Sequence, residues 1–125
     1  MKKKIELEYS LNSSPKILFN HLSTPGGLSE WFAEDVNQDG KIFTFVWEGT
    51  KHKAEMILFK DLHYIRFHWL DDTDKKTYFE FKINTDEITN DISIVITDFA
   101  EDDEKNDLIE LWNEQVSQLK QVLGL

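Results

Sequence analysis

The sequence predicts an α+β domain in which a sheet of about seven strands is covered on one face by a long C-terminal helix. Three observations carry this. Bulky apolar residues recur at every second position through the middle of the chain, the period of half-buried strands. The final stretch, Glu101 to Leu125, instead places Leu108, Leu111, Trp112, Gln115, Leu119 and Val122 at offsets of three and four, one face of a helix. Finally, 125 residues with no linker, repeat or low-complexity segment amount to one domain. A chain of that length buries roughly two thirds of its unfolded surface, enough for a single core.

Lys2 to Leu11 opens the chain as a strand, with Ile5, Leu7, Tyr9 and Leu11 on one side and Lys4, Glu6, Glu8 and Ser10 on the other. Asn12-Ser13-Ser14-Pro15 is a helix start, a capping residue followed by Pro at the first helical position. Ile17, Leu18, Phe19 and Leu22 give that helix its apolar face. Ser23-Thr24-Pro25-Gly26-Gly27 interrupts it, and Leu28 to Phe32 reads as a second short helix with Trp31 and Phe32 turned inward.

Strands then follow at a regular beat. Asp35 to Gln38 is a weak one. Asp39-Gly40 turns into Lys41 to Glu48, where Phe43, Phe45 and Trp47 alternate with Ile42, Thr44 and Val46. Lys51 to Lys60 sets His52, Ala54, Met56 and Leu58 against Ile57 and Phe59. Tyr64 to Leu70 sets Ile65, Phe67 and Trp69 against Tyr64, Arg66 and His68. After the polar tip Asp71 to Lys75, Thr77, Phe79, Phe81 and Ile83 mark the next strand. Ile92, Ile94 and Ile96 mark the last, with Val95 and Phe99 opposite. Acid-rich Glu101 to Asp107 suits a helix N-terminus, and Gly124 suits its end. The order is β-α-α, six antiparallel strands, then the long helix.

Composition narrows the function classes. Net charge is −10, and between Asp71 and Asp107 stand thirteen acids and four lysines. Such a field repels phosphate backbones and anionic membrane surfaces, so neither nucleic acid nor membrane is an expected partner. There is no cysteine, which excludes disulfides, thiol nucleophiles and thiolate metal sites. No apolar run follows the basic Met1-Lys2-Lys3-Lys4, and none is long enough to span a bilayer, so the default location is the cytoplasm.

No cofactor or metal is expected from the motifs. Asp35-Val36-Asn37-Gln38-Asp39-Gly40-Lys41-Ile42 fits the first half of a calcium loop, with oxygen side chains at positions one, three and five and Gly at six. Position twelve is Val46 rather than a bidentate Glu, and the continuation is strand-like, so an Asp-Gly hairpin turn is the expectation. His21, His52, His63 and His68 lack ligand spacing. No Gly-x-Ser-x-Gly elbow or Gly-rich phosphate loop occurs. Arg66, the one arginine, alternates with Ile65, Phe67 and Trp69, the expected inward set, and is expected to face outward against nearby acids.

Tyr9-Ser10-Leu11-Asn12-Ser13-Ser14-Pro15-Lys16-Ile17-Leu18-Phe19, followed by Leu22-Ser23-Thr24-Pro25-Gly26-Gly27-Leu28-Ser29-Glu30-Trp31-Phe32, resembles the opening of the START-like (SRPBCC) superfamily, which includes the birch-pollen allergen and lipid-transfer domains. Gly40-Lys41-Ile42-Phe43 and Leu111-Trp112 with Leu119 and Leu123 are similar to its branch of heat-shock ATPase activator homologues. The resemblance spans essentially the whole chain. It implies the helix-grip fold, a curved antiparallel sheet wrapped around the terminal helix. It does not fix a function, because the superfamily hosts binders, cochaperones and enzymes.

In that fold a pocket can persist between sheet and helix. Phe43, Phe45, Trp47, Met56, Phe67, Trp69, Phe79, Phe81 and Trp112 would line it, with Trp31 and Phe32 near its mouth. His52, His63 and Gln115 are the polar groups expected to point in. The rings either fill the core or leave a pocket. Gln115 favours a wet pocket, because an amide within an apolar stripe needs partners when buried. The expected function is non-enzymatic binding of a small hydrophobic or aromatic-bearing molecule. The alternative is a cochaperone-like interaction module whose acidic band meets a basic protein surface. A cavity lyase or cyclase is a third reading, with no acid–base pair placed for it. A monomer or weak homodimer is expected.

Overall fold

The computed structural model describes all residues from Met1 to Leu125. The chain runs β1 (Lys3–Ser10), α1 (Pro15–Ser23), α2 (Pro25–Leu28), β2 (Asp35–Asp39), β3 (Ile42–Trp47), β4 (Thr50–Lys60), β5 (Tyr64–Trp69), β6 (Phe79–Thr85), β7 (Ile92–Ala100) and α3 (Lys105–Val122). The seven strands form one antiparallel sheet in the order β1-β7-β6-β5-β4-β3-β2. Every pair except β1–β7 joins neighbours in sequence, and that pair places the first strand beside the last. The open, curved sheet holds the helices on its inner face, which is the expected helix-grip architecture.

Local chemistry explains the helix boundaries. The Ser14 hydroxyl accepts from the Ile17 amide at 3.1 Å, and Pro15 occupies the first helical position, where its missing N–H costs nothing. Thr24 ends one helix and begins the next. Its hydroxyl donates to Asn20 O at 2.7 Å and accepts from Gly27 N at 3.0 Å. This corrects the sequence reading of the second helix. Pro25-Gly26-Gly27, read as an interruption, is the first turn of α2, and Leu28 to Phe32 lies at its end and in the turns beyond. A Thr cap followed by Pro outweighs two glycines. The acids before α3 are a lead-in, with only Asp107 inside the first helical turn. At the other end Gly124 sits at φ 75°, with its amide donating to Gln121 O and the Leu125 amide to Lys120 O. That paired arrangement closes a helix through a left-handed residue.

The alternation holds on the inner face through β1, β3, β5, β6 and β7. Phe43, Phe45, Ile65, Phe67, Phe79, Phe81, Ile94 and Ile96 are essentially fully buried. β4 departs from it. Register slips between Met56, opposite Phe67, and Leu58, opposite Arg66, so Ile57 is an extra residue in a bulge. Leu58 therefore does not share a side with Met56, and Phe59 turns inward toward Phe19, ring centroids 5.7 Å apart. Arg66 lies on the outer face, as expected. Its Nε donates to Glu80 at 2.7 Å and its guanidinium lies 3.9 Å from the Tyr78 ring centre. Asp35 to Asp39 pairs along its length with Asp39-Ile42 closing the hairpin, and Gly40 takes φ 60° at the turn.

α3 sinks Trp112, Val116 and Leu119 into the core shared with Leu18, Phe19, Leu22 and Leu28 of the first two helices. Leu111, read as part of the buried stripe, is half exposed. The α1–α2 corner depends on Gly27. A Cβ there would lie 2.2 Å from Asn20 O, whereas nothing stands within 4 Å of one at Gly26. Gly27→Ala should therefore destabilise by about 3 kcal/mol through overpacking. Gly26→Ala should stabilise by about 0.5 kcal/mol by restricting the unfolded chain. Urea denaturation of the two variants checks the opposite signs.

Candidate functional site

A cleft of about 370 Å³ opens between the inner face of the sheet and α3. Trp47 of β3, Trp69 of β5 and Phe79 of β6 form the sheet wall. Leu108, Leu111, Trp112 and Gln115 form the helix wall, with Phe32 at one end and Asp98 of β7 at another. The volume is at the lower end of the range for small-molecule sites, about 300–1,000 Å³. A larger concavity of about 870 Å³ is an open groove between α1 and the β4–β5 turn, away from the sheet–helix interior, where six of nine lining residues are polar or charged.

Phe32 joins the walls. Its carbonyl accepts from Trp47 Nε1 at 2.9 Å and from Gln115 Nε2 at 3.1 Å, so a β3 side chain and an α3 side chain meet on one oxygen. Its ring lies nearly parallel to Trp112, 5.7 Å away at 13°, and edge-on to Trp47 at 5.2 Å. These offset and edge geometries are the favoured ones for aromatic pairs. A further tie, Tyr9 Oη to Asn113 Oδ1 at 2.6 Å, anchors α3 to β1, and burial pushes the Tyr9 hydroxyl above its ordinary pKa.

Asp98 is the titratable residue of the cleft, and the sequence reading missed it. The inward row of β7 runs Ile92, Ile94, Ile96, and two residues on it reaches Asp98, which pairs across with the buried Ile5. The carboxylate accepts from Trp112 Nε1 at 3.0 Å and from the Phe99 amide at 2.8 Å. Burial raises its pKa above the ordinary carboxylate value, and those two donors, with the nearby charge of Lys2, only partly oppose the shift. Continuing the strand phase past Ile96 would have found it.

Of the residues singled out from sequence, Phe32, Trp47, Trp69, Phe79, Trp112 and Gln115 surround the cleft. Phe45, Phe67 and Phe81 stand behind them, fully buried and packed ring on ring. Trp31 is also in the core, its Nε1 bonded to His21 O at 2.7 Å. Met56, beside the bulge, packs on the core away from the cleft. Phe43 lies deep against Phe67. Of the polar groups expected to point in, Gln115 does. His52 rests against the Trp47 and Trp69 rings without lining the cleft, and His63 is exposed with Nδ1 at 2.8 Å from Asp61 O. The rings thus both fill a core and border a gap.

The raised Asp98 pKa has a signed consequence. The folded protein holds this proton more tightly than the unfolded chain, so the group's contribution to stability is greatest when it is protonated. That contribution is lost as pH rises from the ordinary carboxylate value through the folded one. Asp98→Asn removes the charge and keeps one accepting oxygen, so one of the two donors, Trp112 Nε1 or the Phe99 amide, loses its partner. Its thermal midpoint relative to wild type should therefore rise between pH ~4 and pH 7 and fall back on acidification. Scanning calorimetry of both proteins across that range measures it.

A model of the START-like superfamily domain matches residues 1–125. Protein BfR322 from Bacteroides fragilis has a solution structure that superposes with TM-score 0.70 at 47% identity, covering 97% of this chain and 90% of that one. The Aha1 dimer from Colwellia psychrerythraea superposes with TM-score 0.81 at 18% identity, covering 97% and 96%. DynU16, from the dynemicin biosynthetic locus, superposes with TM-score 0.81 at 12% identity, covering 97% of this chain and 47% of that one. No curated protein matches. The family model and the shared helix-grip architecture agree, and the chain belongs to the START-like superfamily.

Proposed function

We propose that the protein binds a small, largely apolar molecule in the cleft between sheet and α3, without catalysing its turnover. The observation that carries this is the cleft itself, bordered by Trp47, Trp69, Phe79, Trp112 and Phe32 and held apart by bonds to the Phe32 carbonyl. Apolar walls with a few placed polar groups are the usual form of a small-molecule site. Binding rather than catalysis is favoured because Asp98 is the one titratable side chain on the lining and has no acid–base partner there. The START-like family and the likeness to a protein of a biosynthetic locus support a ligand-binding role.

A second reading is a protein-interaction module like the Aha1 protein of Colwellia psychrerythraea, whose solution structure is a dimer. It is supported by acid clustering at one end of the molecule. The β5–β6 tip and the lead-in to α3 converge on the N-terminus, through Lys2–Asp72 at 3.5 Å, the Met1 amine–Glu101 at 2.8 Å and Lys3–Asp102 at 3.2 Å. Asp71, Asp74 and Asp103 remain exposed around those pairs. Their replacement by lysine should abolish capture of a basic partner, and a pull-down insensitive to that triple change counts against this reading.

For the cleft, native mass spectrometry of protein from its own host should show a co-purifying small molecule. A thermal-shift screen with lipids, sterols and flavonoid-like compounds should find a class that stabilises it. A ligand at about 100 times its Kd adds about 2.7 kcal/mol. Leu111, half exposed on the helix wall, gives a blocking variant. Leu111→Trp should cut affinity at least about tenfold, while stability stays within about 0.5 kcal/mol because the core is untouched. No co-purifying mass and no shift from any class would sink the proposal.

A further inference from the structure

The charge pattern of the cleft narrows its ligand, on the footing that the cleft binds a small molecule at all. No lysine, arginine or histidine stands on the lining, and its single formal charge is the carboxylate of Asp98. That carboxylate sits in an inward row of isoleucines, where an aliphatic side chain would pack without cost. Each oxygen takes one N–H, Oδ2 from Trp112 and Oδ1 from Phe99, which leaves lone pairs unused. The Trp112 indole is bonded to it, and the indoles of Trp47 and Trp69 line the same cleft. Lys2 is the one basic side chain acting on Asp98, and its amine is engaged by Asp72 at 3.5 Å.

From this geometry we infer that the cleft selects an organic cation, a protonated amine or quaternary ammonium carried on an aromatic or short aliphatic body. The ammonium lies against Asp98 and the body lies among the rings of Trp47, Trp69 and Phe79. A neutral hydroxyl or amide N–H could donate to Asp98, but it would leave the buried charge uncompensated. A cation supplies both the donor and the opposite charge. It also draws on the negative faces of the aromatic rings, an attraction strongest for Trp. An anionic ligand meets Asp98 as a like charge with no basic side chain to offset it. The protein's net charge of −10 raises the local concentration of cations in the same sense.

The test uses three probes of closely matched size, phenethylamine, 2-phenylethanol and 3-phenylpropionate, titrated at pH 7 by isothermal calorimetry. The proteins are wild type and Asp98→Asn, whose folding is checked by its thermal midpoint. Wild type should bind phenethylamine about tenfold or more tighter than 2-phenylethanol, the size of one charge-assisted contact, with the anion weakest. Asp98→Asn should bring the amine and the alcohol to within about twofold of each other. Alcohol binding equal to or tighter than amine binding, or an amine preference that survives Asp98→Asn, overturns the inference and leaves the cleft as an apolar site. Binding of none of the three overturns it together with the cleft reading.

Discussion

The arrangement of this molecule depends on the Phe32 main-chain carbonyl, which two side chains from opposite walls share. Trp47 reaches it from β3 and Gln115 from α3. Each neutral bond is worth about 1 kcal/mol net, so their energy is modest. Their geometric effect is larger, because one oxygen fixes the distance between the sheet and the helix at that level. The Phe32 ring repeats the constraint in apolar form, parallel to Trp112 on the helix side and edge-on to Phe45 on the sheet side. The segment after α2, a connector by position in the chain, is thus the strut between the layers. The Gly27 contact that seats α2 against α1 sets where that strut begins.

Asp98 is the opposite kind of feature, one that the fold holds at a cost. Its neighbours in the inward row are isoleucines, and an aliphatic side chain there would add to the core. The carboxylate instead takes donors from Trp112 and Phe99, and burial still outweighs them. A side chain that lowers stability where a common alternative would raise it breaks the agreement between local chemistry and fold that most positions show. Such breaks concentrate where binding is done. The Asp98–Trp112 bond also makes the acid part of the helix anchor, so the same group that charges the cleft positions its helix wall.

How far the sequence is legible follows from which physical signals are periodic. Phe43-Phe45, Ile65-Phe67 and Phe79-Phe81 each alternate cleanly, and the sheet could be read from them together with the long helix that closes it. Gln115 stood out because an amide in an apolar stripe is an exception that needs a partner, and Phe32 O is that partner. Asp98 obeys the strand period but lies in an acid-rich stretch, where charge suggests solvent. The bulge at Ile57 is hidden because Ile57, Leu58 and Phe59 are all apolar, so the change of phase alters no pattern. Leu111 falls within the helical stripe by angle, yet it lies beside the gap and is half exposed. α2 was obscured because Gly and Pro composition masks a cap that only Thr24 reveals.

The cleft persists in a short, ring-rich chain because its bordering rings are fastened before they can close on one another. Close packing would favour α3 settling onto Trp69 and Phe79. Trp112, however, is held by its N–H to Asp98 and by its face to Phe32, and Trp47 by its N–H to the Phe32 carbonyl. Phe79 lies near-parallel to Phe67 at 5.0 Å and to Trp69 at 4.8 Å, which fixes it against the sheet. The deeper volume is already occupied by Phe45, Phe67 and Phe81, so the gap cannot extend inward. What is left is small, about 370 Å³, with the half-exposed Leu111 on its helix wall. Size therefore constrains the occupant as firmly as polarity does: a compact body fits whole, whereas a long acyl chain would have to leave past the exposed side of α3.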